Sequence, residues 1–388
     1  MKILIIHNSY YFRGGEDEVV EAEKRMLEAY GHKVIIYIRN NREIERLNFR
    51  AKSLFFLKDV FWSKQTYDDI RVLIRREEPD IAHIHNVLFM ISPSAYDACY
   101  DEQIPLVQTL HNFRFLCPIG IFFRQGKICE QCPSLGKISA VFYKCWKNSF
   151  LKSFLLVKVV GSLVQKVILQ KKVSAFICLT HFAKERFVQL GVPQEKVFIK
   201  PNFLDEDPGA DMNKDSYAIY VGALRDYKGI RTLIRAWREI KNAPLLKVVG
   251  SGPLEAELKG LSKDLNIEFV GQKHFRETLI LIKNASFLIL PSECYETFPR
   301  VVIEAYACGV PVIVSRLEAL KEIVEEGKTG VFFNAGDIGD LALKIDRFIQ
   351  RPQDLKAMGL HVRRNFEEQY TLSKNMVLLE DIYQKVLK

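Results

Sequence analysis

Short runs of aliphatic and β-branched residues alternate with longer amphipathic stretches from one end of the chain to the other. Such alternation is typical of βαβ units and predicts an α/β protein with parallel sheets. The predicted strands fall into two sets. The first set is KILIIHN, KVIIYI, DIAHIHN, PLVQTLHN, AFICLT and KVFIKPN, and the second is YAIYVGAL, LLKVVGSG, IEFVG, FLILPS and PVIVS.

A polar segment, residues 201–216, separates the two sets and shows no apolar periodicity (PNFLDEDPGADMNKDS). Its Pro, Asp, Asn and Gly residues are typical of a linker. A length of 388 residues also suits two domains of ordinary size. We therefore predict two separately wound domains, residues 1–204 and 217–370, followed by a C-terminal helix over residues 371–388 that packs back toward the first domain.

Composition and apolar run lengths exclude several classes of protein. Hydrophobic residues make up 48% and charged residues 27% of the chain, which is typical of a globular protein. The opening MKILIIHNSYYF has no cleavage pattern and predicts a buried first strand, so we expect a cytoplasmic protein. The longest apolar region, residues 150–169, contains Lys152, Lys158 and Lys166, which argue against a transmembrane helix.

Positive charge is concentrated in the first half of the chain, whose net charge overall is +9. Residues 131–184 contain nine lysines and no acidic residue, so this segment should attract anions. From Leu156 onward, apolar residues recur at helical spacing, with Lys158 and Lys166 on the other side. Two interpretations remain open: a basic amphipathic helix on anionic lipid, or a core helix with its lysines outward.

The chain has eight cysteines, and four of them lie in a basic insertion at about residues 113–172. Without a signal peptide, they are expected to be in a reducing compartment. One pair has C-x2-C spacing, and single cysteines flank it, so the four could complete a tetrahedral structural zinc site. Four reduced cysteines in a loop-rich insertion are the alternative. The four residues are Cys117, Cys129, Cys132 and Cys145.

Two loops that follow predicted strands carry glycines or cations before a helix. Arg13, Gly14 and Gly15 precede an acidic helix start, and paired glycines let backbone amides approach an anion there. In the second half, Arg225 and Lys228 lie between a strand and a helix, where two cations could hold a diphosphate. An ordinary βα turn and solvated loop cations are the respective alternatives.

The strongest signal is the segment PSECYETFPRVVIEAYACGVPVIVS, residues 291–315. Glu296 comes just before a predicted helix, and Glu304 lies about two turns inside it. Two carboxylates at different depths could bind separate hydroxyl groups of one sugar or nucleotide ligand. The helix dipole also favours Glu296 near the N-terminus, but Glu304 is bracketed by apolar residues and needs a partner.

With these motifs in order, the chain resembles the family-4 retaining glycosyltransferases of the GT-B fold, particularly those of bacterial surface-polysaccharide synthesis. The resemblance covers nearly the full length. It implies two Rossmann-like domains facing across a cleft, and transfer of a sugar from a nucleotide diphosphate donor with no catalytic metal. The motifs that carry it are GGEDEVV, DIAHIHN, TLHN, KPNFLD, VGALRDYKG, VVGSGPL, EFVG and the two glutamates.

Site residues follow from the resemblance position by position. Arg225 and Lys228 would bind the diphosphate, Glu296 the donor sugar and Glu304 the ribose hydroxyls. His111, at the end of PLVQTLHN, would face the transferred sugar. Backbone amides complete the implied donor site, although Pro299 removes one amide where many relatives have glycine. The residues offering amides are Gly14, Gly15, Phe298, Arg300 and Val301.

The resemblance also indicates the partners. A basic first half suits a glycan or polyprenyl-diphosphate-linked acceptor at the inner face of the cell membrane, and we expect no nucleic-acid partner. Two other functions are weighed. A sugar-nucleotide epimerase would need acid and base residues on both faces of the sugar, and only His111 is a convincing candidate. A non-catalytic glycan-assembly subunit would tolerate loss of the charged residues, yet all are present.

Overall fold

The computed structural model describes residues 1–11, 14–169 and 171–388. Arg13 of the first predicted strand-end loop lies outside the described residues. The chain divides into two compact units, and its main crossing between them falls within the polar segment 201–216. The first unit comprises Met1–Gly120, Glu130–Asp205 and Leu372–Lys388, and the second comprises Ile121–Cys129 and Glu206–Thr371.

Strands and helices alternate along most of the described chain. The strands are β1 (Lys2–Ser9), β2 (Lys33–Asn40), β3 (Ile81–Asn86), β4 (Leu106–Thr109), β5 (Phe123–Arg124), β6 (Lys127–Ile128), β7 (Ala175–Cys178), β8 (Val197–Ile199), β9 (Tyr217–Val221), β10 (Leu245–Val249), β11 (Ile267–Gly271), β12 (Phe287–Leu290), β13 (Val312–Ser315) and β14 (Gly330–Phe333). The α-helices are α1 (Gly15–Ala29), α2 (Glu43–Arg46), α3 (Phe49–Leu54), α4 (Lys64–Glu77), α5 (Ser94–Asp101), α6 (Gln131–Leu135), α7 (Ser139–Phe142), α8 (Phe150–Val164), α9 (His181–Gln189), α10 (Ile230–Glu239), α11 (Glu255–Leu261), α12 (Phe275–Asn284), α13 (Arg300–Ala307), α14 (Glu318–Lys321), α15 (Ile338–Gln350), α16 (Pro352–Gln369) and α17 (Leu372–Leu387). Phe55–Asp59 and Gln165–Leu169 are π-helical, and Gln194–Lys196 and Asp226–Lys228 form 3-10 turns.

The first unit is built on a six-stranded sheet in the order β2-β1-β3-β4-β7-β8, and every neighbouring pair is parallel. Strands β3 and β4 are buried along their whole length, as expected for strands covered by helices on both faces. The chain begins near the middle of the sheet and reverses direction between β1 and β3. Polar residues that follow these central strands therefore gather at one edge.

The second unit repeats this design with the order β11-β10-β9-β12-β13-β14, again parallel throughout. Its reversal point lies between β9 and β12, which brings the loops after those two strands to the same edge. Each of the predicted runs contains a strand, so the α/β prediction is confirmed. Strand β14, Gly330–Phe333, was not among the predicted runs.

Helix α17 belongs to the first unit although it is the last element of the chain. Met376, Leu379 and Tyr383 on this helix are buried in one apolar cluster with Ile3 and Ile5 of β1. The amphipathic spacing of α17 therefore reflects burial against the first sheet. The second unit has its own apolar cluster, which is centred on α10 and the strands around it.

The basic insertion is divided between the two units. Its antiparallel hairpin β5–β6 belongs to the second unit, and helices α6, α7 and α8 belong to the first. On α8 and the π-helical turn after it, the apolar face bearing Leu156, Val160 and Leu163 is buried. That face is therefore occupied by the unit's own core and is not available to a lipid surface.

Candidate active site

The loop after β9 is held against the end of β12 by a glycine. Gly229 has φ +67°, in the left-handed region, and a Cβ there would overlap the carbonyl oxygen of Pro291. The close approach that this glycine permits brings the preceding residue, Lys228, beside the residues that follow β12. A sequence can show the glycine, but the neighbour that requires it lies more than sixty positions away.

Lys228 and Glu296 form the central contact of this edge. Lys228 Nζ donates to Glu296 Oε1 at 2.6 Å, and Ser292 Oγ donates to the same oxygen at 2.7 Å. Burial disfavours the ammonium, but attraction to Glu296 prevails and raises the pKa of Lys228 above its ordinary value. The pair is therefore charged, and both side chains remain partly accessible, with exposed fractions of 25% and 14%.

Arg225 lies three residues before Lys228 and is exposed. The structure shows no hydrogen bond or ion pair from its guanidinium to another described residue. Its backbone is extended, and it precedes the 3-10 turn Asp226–Lys228 that carries the lysine. Two cations thus flank one short turn, one already paired with a carboxylate and the other directed to solvent.

Helix α13 carries the second predicted carboxylate. Glu304 is buried, and its Oε1 lies 3.8 Å from Arg300 Nε one turn earlier. The Arg300 guanidinium lies over the ring of Phe275 at 5.4 Å, and its buried Nε has no hydrogen-bond partner among the described atoms. The first amides of a helix lack intrahelical acceptors, so those of Arg300 and Val301 are suited to an anionic ligand.

Phe298 and Pro299 shape the entry to α13. The Phe298 side chain is buried and packs edge-on against Tyr370 at 5.9 Å, which leaves only its backbone for a ligand. Pro299 is the N-cap residue and has extended backbone angles. A missing amide at this position removes one donor from the turn but does not disturb the helix start.

Aromatic residues of the β5–β6 hairpin pack on both loops of the second unit. The rings of Phe122 and Tyr295 are 5.4 Å apart, and those of Phe123 and Tyr227 are 6.3 Å apart. Tyr227 precedes Lys228, and Tyr295 precedes Glu296. The hairpin therefore packs against the residues that directly precede the two charged side chains. The sequence did not predict these contacts.

In the first unit, Gly14 caps helix α1. Its amide donates to Asp17 Oδ2 at 2.9 Å, and the other Asp17 oxygen lies 2.9 Å from His7 Nε2. A Cβ at Gly14 or Gly15 would meet no described heavy atom within 4 Å. Packing against the described residues therefore does not require these glycines, and Gly15 is exposed.

Glu16 is a titratable residue that the sequence interpretation missed. Its Oε2 accepts from Tyr10 Oη at 3.1 Å and from Asn112 Nδ2 at 3.4 Å. Burial raises the pKa of Glu16 to about 7. The acid beside the glycine pair was visible in the sequence, but one of its partners, Asn112, follows β4 and lies 96 positions away.

His111 follows β4 and is joined to a second histidine. Its Nε2 lies 2.8 Å from His85 Nδ1, and the two rings stack with centroids 5.1 Å apart. Burial lowers the pKa of His85 to about 3 and that of His111 well below its usual value. Both histidines are therefore neutral, and one donates to the other.

A buried ion pair determines which nitrogen of His85 carries the proton. Glu23 Oε1 lies 3.3 Å from His85 Nε2, and Lys200 Nζ donates to Glu23 Oε2 at 2.9 Å. Burial opposes ionisation of Glu23, but attraction to Lys200 holds its pKa well below its usual range. An anionic Glu23 favours the proton on His85 Nε2 by attraction, since neither this nitrogen nor Glu23 Oε1 forms a hydrogen bond with a described atom. With the proton there, His85 Nδ1 accepts from His111 Nε2–H.

Two groups of side chains are candidates for binding a metal ion. Glu23, His83 and His85 offer ligand atoms within 4.8 Å of one another, but an ion there would compete with the Lys200 ammonium. Among the four predicted zinc ligands, Cys117 is buried and the other three are partly exposed, and the zinc site stays a prediction.

An Asp-x-Asp sequence at residues 205–207 is a further group of acids. Each aspartate is paired with an arginine of its own unit: Arg25 Nη2 lies 2.6 Å from Asp205 Oδ2, and Arg363 Nη1 lies 2.6 Å from Asp207 Oδ1. Each carboxylate therefore forms its ion pair within its own unit.

Two doubly wound parallel sheets with charged residues on the strand-end loops define the GT-B class of protein. Models of two glycosyltransferase families match the chain: Glycosyltransferase Family 4 over residues 13–208 and Glycosyl transferases group 1 over residues 205–364. The chain belongs to glycosyltransferase family 4, with a group 1 C-terminal region, so the recognition made from the motifs is confirmed.

Two of the curated relatives come from bacteria. The chain is 29% identical over 203 residues to N-acetyl-alpha-D-glucosaminyl L-malate synthase of Bacillus anthracis, covering 50% of this chain and 52% of the relative. It is 28% identical over 207 residues to the capsular polysaccharide biosynthesis glycosyltransferase CapM of Staphylococcus aureus, covering 51% and 53%. The chain thus spans about half the length of these curated relatives.

A solved structure shares the fold over nearly the whole chain. HepE from Anabaena in complex with UDP and glucose superposes with a TM-score of 0.68 at 18% identity, covering 99% of this chain and 100% of that one. At this identity the likeness concerns the fold alone. Among the described residues, no helix is both long and apolar enough to cross a membrane.

Proposed function

We propose that this chain is a retaining, metal-independent glycosyltransferase that moves a sugar from a nucleoside diphosphate donor to a glycan or polyprenyl-diphosphate-linked acceptor. The observation that carries the proposal is the charged contact between Lys228 and Glu296 at the reversal point of the second sheet. The UDP and glucose bound by HepE support a nucleotide-sugar donor. Polysaccharide synthesis is supported by the relative CapM.

The donor's charges and hydroxyls match the second unit. Arg225 and Lys228 would neutralise the diphosphate, and the first amides of α13, at Arg300 and Val301, would donate to its oxygens. Glu296 would accept from hydroxyls of the sugar. Glu304, deeper in the helix, would accept from the ribose hydroxyls, and the Phe298 amide would complete the turn.

Transfer requires the bond between the sugar's anomeric carbon and the diphosphate oxygen to break. The acceptor oxygen then bonds to that carbon, and its proton passes to the departing diphosphate oxygen on the same face, which gives retention. Negative charge grows on the diphosphate as this bond breaks. Lys228 and Arg225, held in place beforehand, stabilise that charge more in the transition state than in the ground state.

The first unit would supply the acceptor side. The exposed backbone at Gly14 and Gly15 would approach the acceptor and the phosphates. His111 would face a hydroxyl of the transferred sugar. The reaction would take place in the cytoplasm, and a structural zinc ion on the four cysteines would shape the insertion.

A screen of nucleotide sugars tests the proposal, with both hydrolysis and transfer measured for the parent and for Lys228→Ala. We expect the variant to lose most turnover with every donor that the parent uses. Lys263→Ala, an exposed lysine of the same unit, is the matched control and should behave as the parent. Equal turnover in Lys228→Ala would remove the proposed donor site.

Product analysis separates the finer parts of the proposal. NMR should show the same anomeric configuration in donor and product, and activity should survive a chelator. An epimerase would instead change the sugar nucleotide without an acceptor, and a non-catalytic subunit would bind it unchanged. For zinc, metal analysis of protein purified without chelator should find bound zinc; four freely titratable thiols and no zinc would contradict that site.

A further inference from the structure

One surface of the first unit exposes large apolar side chains to an unusual degree. Between residues 135 and 154, helices α6, α7 and the start of α8 project seven of them into solvent, and Leu151 and Phe142 are 75% and 70% exposed. Single exposed apolar residues are ordinary, but a group in one short stretch indicates an interaction site. The seven are Leu135, Ile138, Phe142, Tyr143, Phe150, Leu151 and Phe154.

Helix α8 shows that these side chains are not part of the core. Its buried face carries residues such as Ser153, Leu156 and Val160. Phe150 and Phe154 are exposed one turn apart on another face, and Lys158 follows one turn later with Nζ 5.5 Å above the Phe154 ring. The helix is therefore apolar on two faces, of which the unit's core covers one.

The lysines around these residues are exposed and lack acidic partners. Lys144, Lys147, Lys152 and Lys158 are exposed, and the structure shows no ion pair between any of them and another described residue. By contrast, Lys166 and Lys172 of the same acid-free segment each bind Asp97 at 2.5 Å. We define the lysine–aromatic face as Phe142, Tyr143, Lys144, Lys147, Phe150, Leu151, Lys152, Phe154 and Lys158.

Charge identifies the occupant of this face. A second copy of the chain would bring two sets of unpaired lysines together, which like-charge repulsion disfavours. An anionic bilayer attracts each lysine near its surface and accepts aromatic and aliphatic side chains at the boundary of headgroups and acyl chains. Residues 131–184 contain apolar side chains interleaved with lysines and no acidic residue. The face therefore combines the positive charge and the apolar side chains that bind to an anionic bilayer.

We infer that the lysine–aromatic face docks the chain peripherally on an anionic lipid surface, with the N-terminal turn of α8 as the part that enters the interface. The earlier expectation placed membrane contact on the apolar positions after Leu156, but those are buried. Docking here would bring the first unit to a membrane that holds lipid-linked acceptors. The inference needs no donor or catalysis, so it stands apart from the proposed sugar transfer.

Vesicle sedimentation tests the inference. The full chain should bind mixed phosphatidylglycerol–phosphatidylcholine vesicles, bind pure phosphatidylcholine vesicles much more weakly, and lose binding as salt rises. Replacing Lys144, Lys147 and Lys152 together by Gln should weaken binding to the anionic vesicles by about a hundredfold. The double variant Phe150→Ser/Leu151→Ser should also lose binding, and Trp146 fluorescence should shift to the blue with vesicles only in the parent.

Two control variants test whether the loss of binding is specific to the lysine–aromatic face. Phe49→Ser removes a more exposed phenylalanine elsewhere on the first unit, and Lys263→Gln removes a lysine of the second unit; both should bind as the parent. Thermal unfolding must be unchanged in every variant used. Failure to bind anionic vesicles, or equal binding by the lysine variant and the parent, overturns the inference. A dimer that Phe150→Ser/Leu151→Ser dissociates would overturn it in favour of self-association.

Discussion

The groups of charged and polar residues beside the two sheets differ in how deeply they are buried. In the first sheet, Glu23, His85 and Lys200 are almost completely buried and contact one another or other fixed groups. In the second sheet, Lys228 and Glu296 are partly exposed and lie close to the unpaired Arg225. A deeply buried network holds geometry, whereas partly exposed charges beside an exposed cation are accessible to a ligand, although both groups contain a lysine–glutamate pair.

Lys200→Met should break the first network and have the largest effect. It would leave the Glu23 carboxylate buried without its ammonium, and losing one partner of a buried pair costs about 3–5 kcal/mol. Urea unfolding measures this loss. Lys64→Met, which breaks the exposed pair with Asp68, should cost no more than about 1 kcal/mol. Similar losses in the two variants would contradict the contrast between buried and exposed pairs.

Lys228→Ala should remove function while leaving the fold intact. Loss of a preorganised charge beside a leaving group lowers turnover by about 10²–10³-fold. Because Lys228 is partly exposed, its free energy of unfolding should change much less than that of Lys200→Met. Steady-state transfer rates and urea unfolding on the same preparation check both expectations. A variant that unfolds but keeps its specific activity would reverse the assignment of roles.

The first network should also make stability depend on pH. His85 has a pKa of about 3 when folded and about 6.5 when unfolded, so the unfolded chain binds a proton that the folded chain does not. Stability therefore falls as pH falls below about 6.5, by about 2 kcal/mol at pH 5 from this histidine alone. Glu23, whose pKa is lowered by folding, adds a further loss only below its unfolded pKa of about 4.3.

Urea unfolding between about pH 7.5 and pH 5 measures this dependence. In His85→Gln the loss should shrink, whereas His361→Gln, an exposed histidine, should follow the parent. Parallel pH profiles for the parent and His85→Gln would show that His85 titrates normally.

Glu304→Gln should have the smallest effect of the four. If Glu304 accepts from ribose hydroxyls, loss of its charge weakens one charge-assisted contact and costs about 1–2 kcal/mol, or roughly tenfold in nucleotide affinity. Calorimetry with the nucleoside diphosphate measures it. A nucleotide lacking the ribose hydroxyls should bind the parent and the variant alike. A large loss for that nucleotide too would mean that Glu304 supports helix α13 rather than the ribose.

Sequence patterns were sufficient for the fold because local periodicity reports burial. Each run that the alternating patterns predicted to be a strand contains a strand of the structure. They missed β14 and the hairpin β5–β6. The two strands of the hairpin have only two residues each, which is too short to distinguish them from a loop. They also left the apolar positions after Leu156 undecided, because a stripe of apolar residues does not indicate whether core or lipid covers it.

The candidate site was only partly predictable. Lys228 and Glu296 were identified by their motifs, but the sequence did not show that they share one hydrogen bond. Glu16, Glu23 and His85 were missed altogether. Their environment comes from residues far along the chain, such as Lys200, which is 177 positions from Glu23.

By itself, the sequence determined the two α/β units and the residue types at the strand ends. Tertiary structure decided which of those residues meet, which are neutral and which remain accessible. The physical reason is that secondary structure depends on neighbours within a few residues, whereas burial and pairing bring distant residues together and set the local electrostatics.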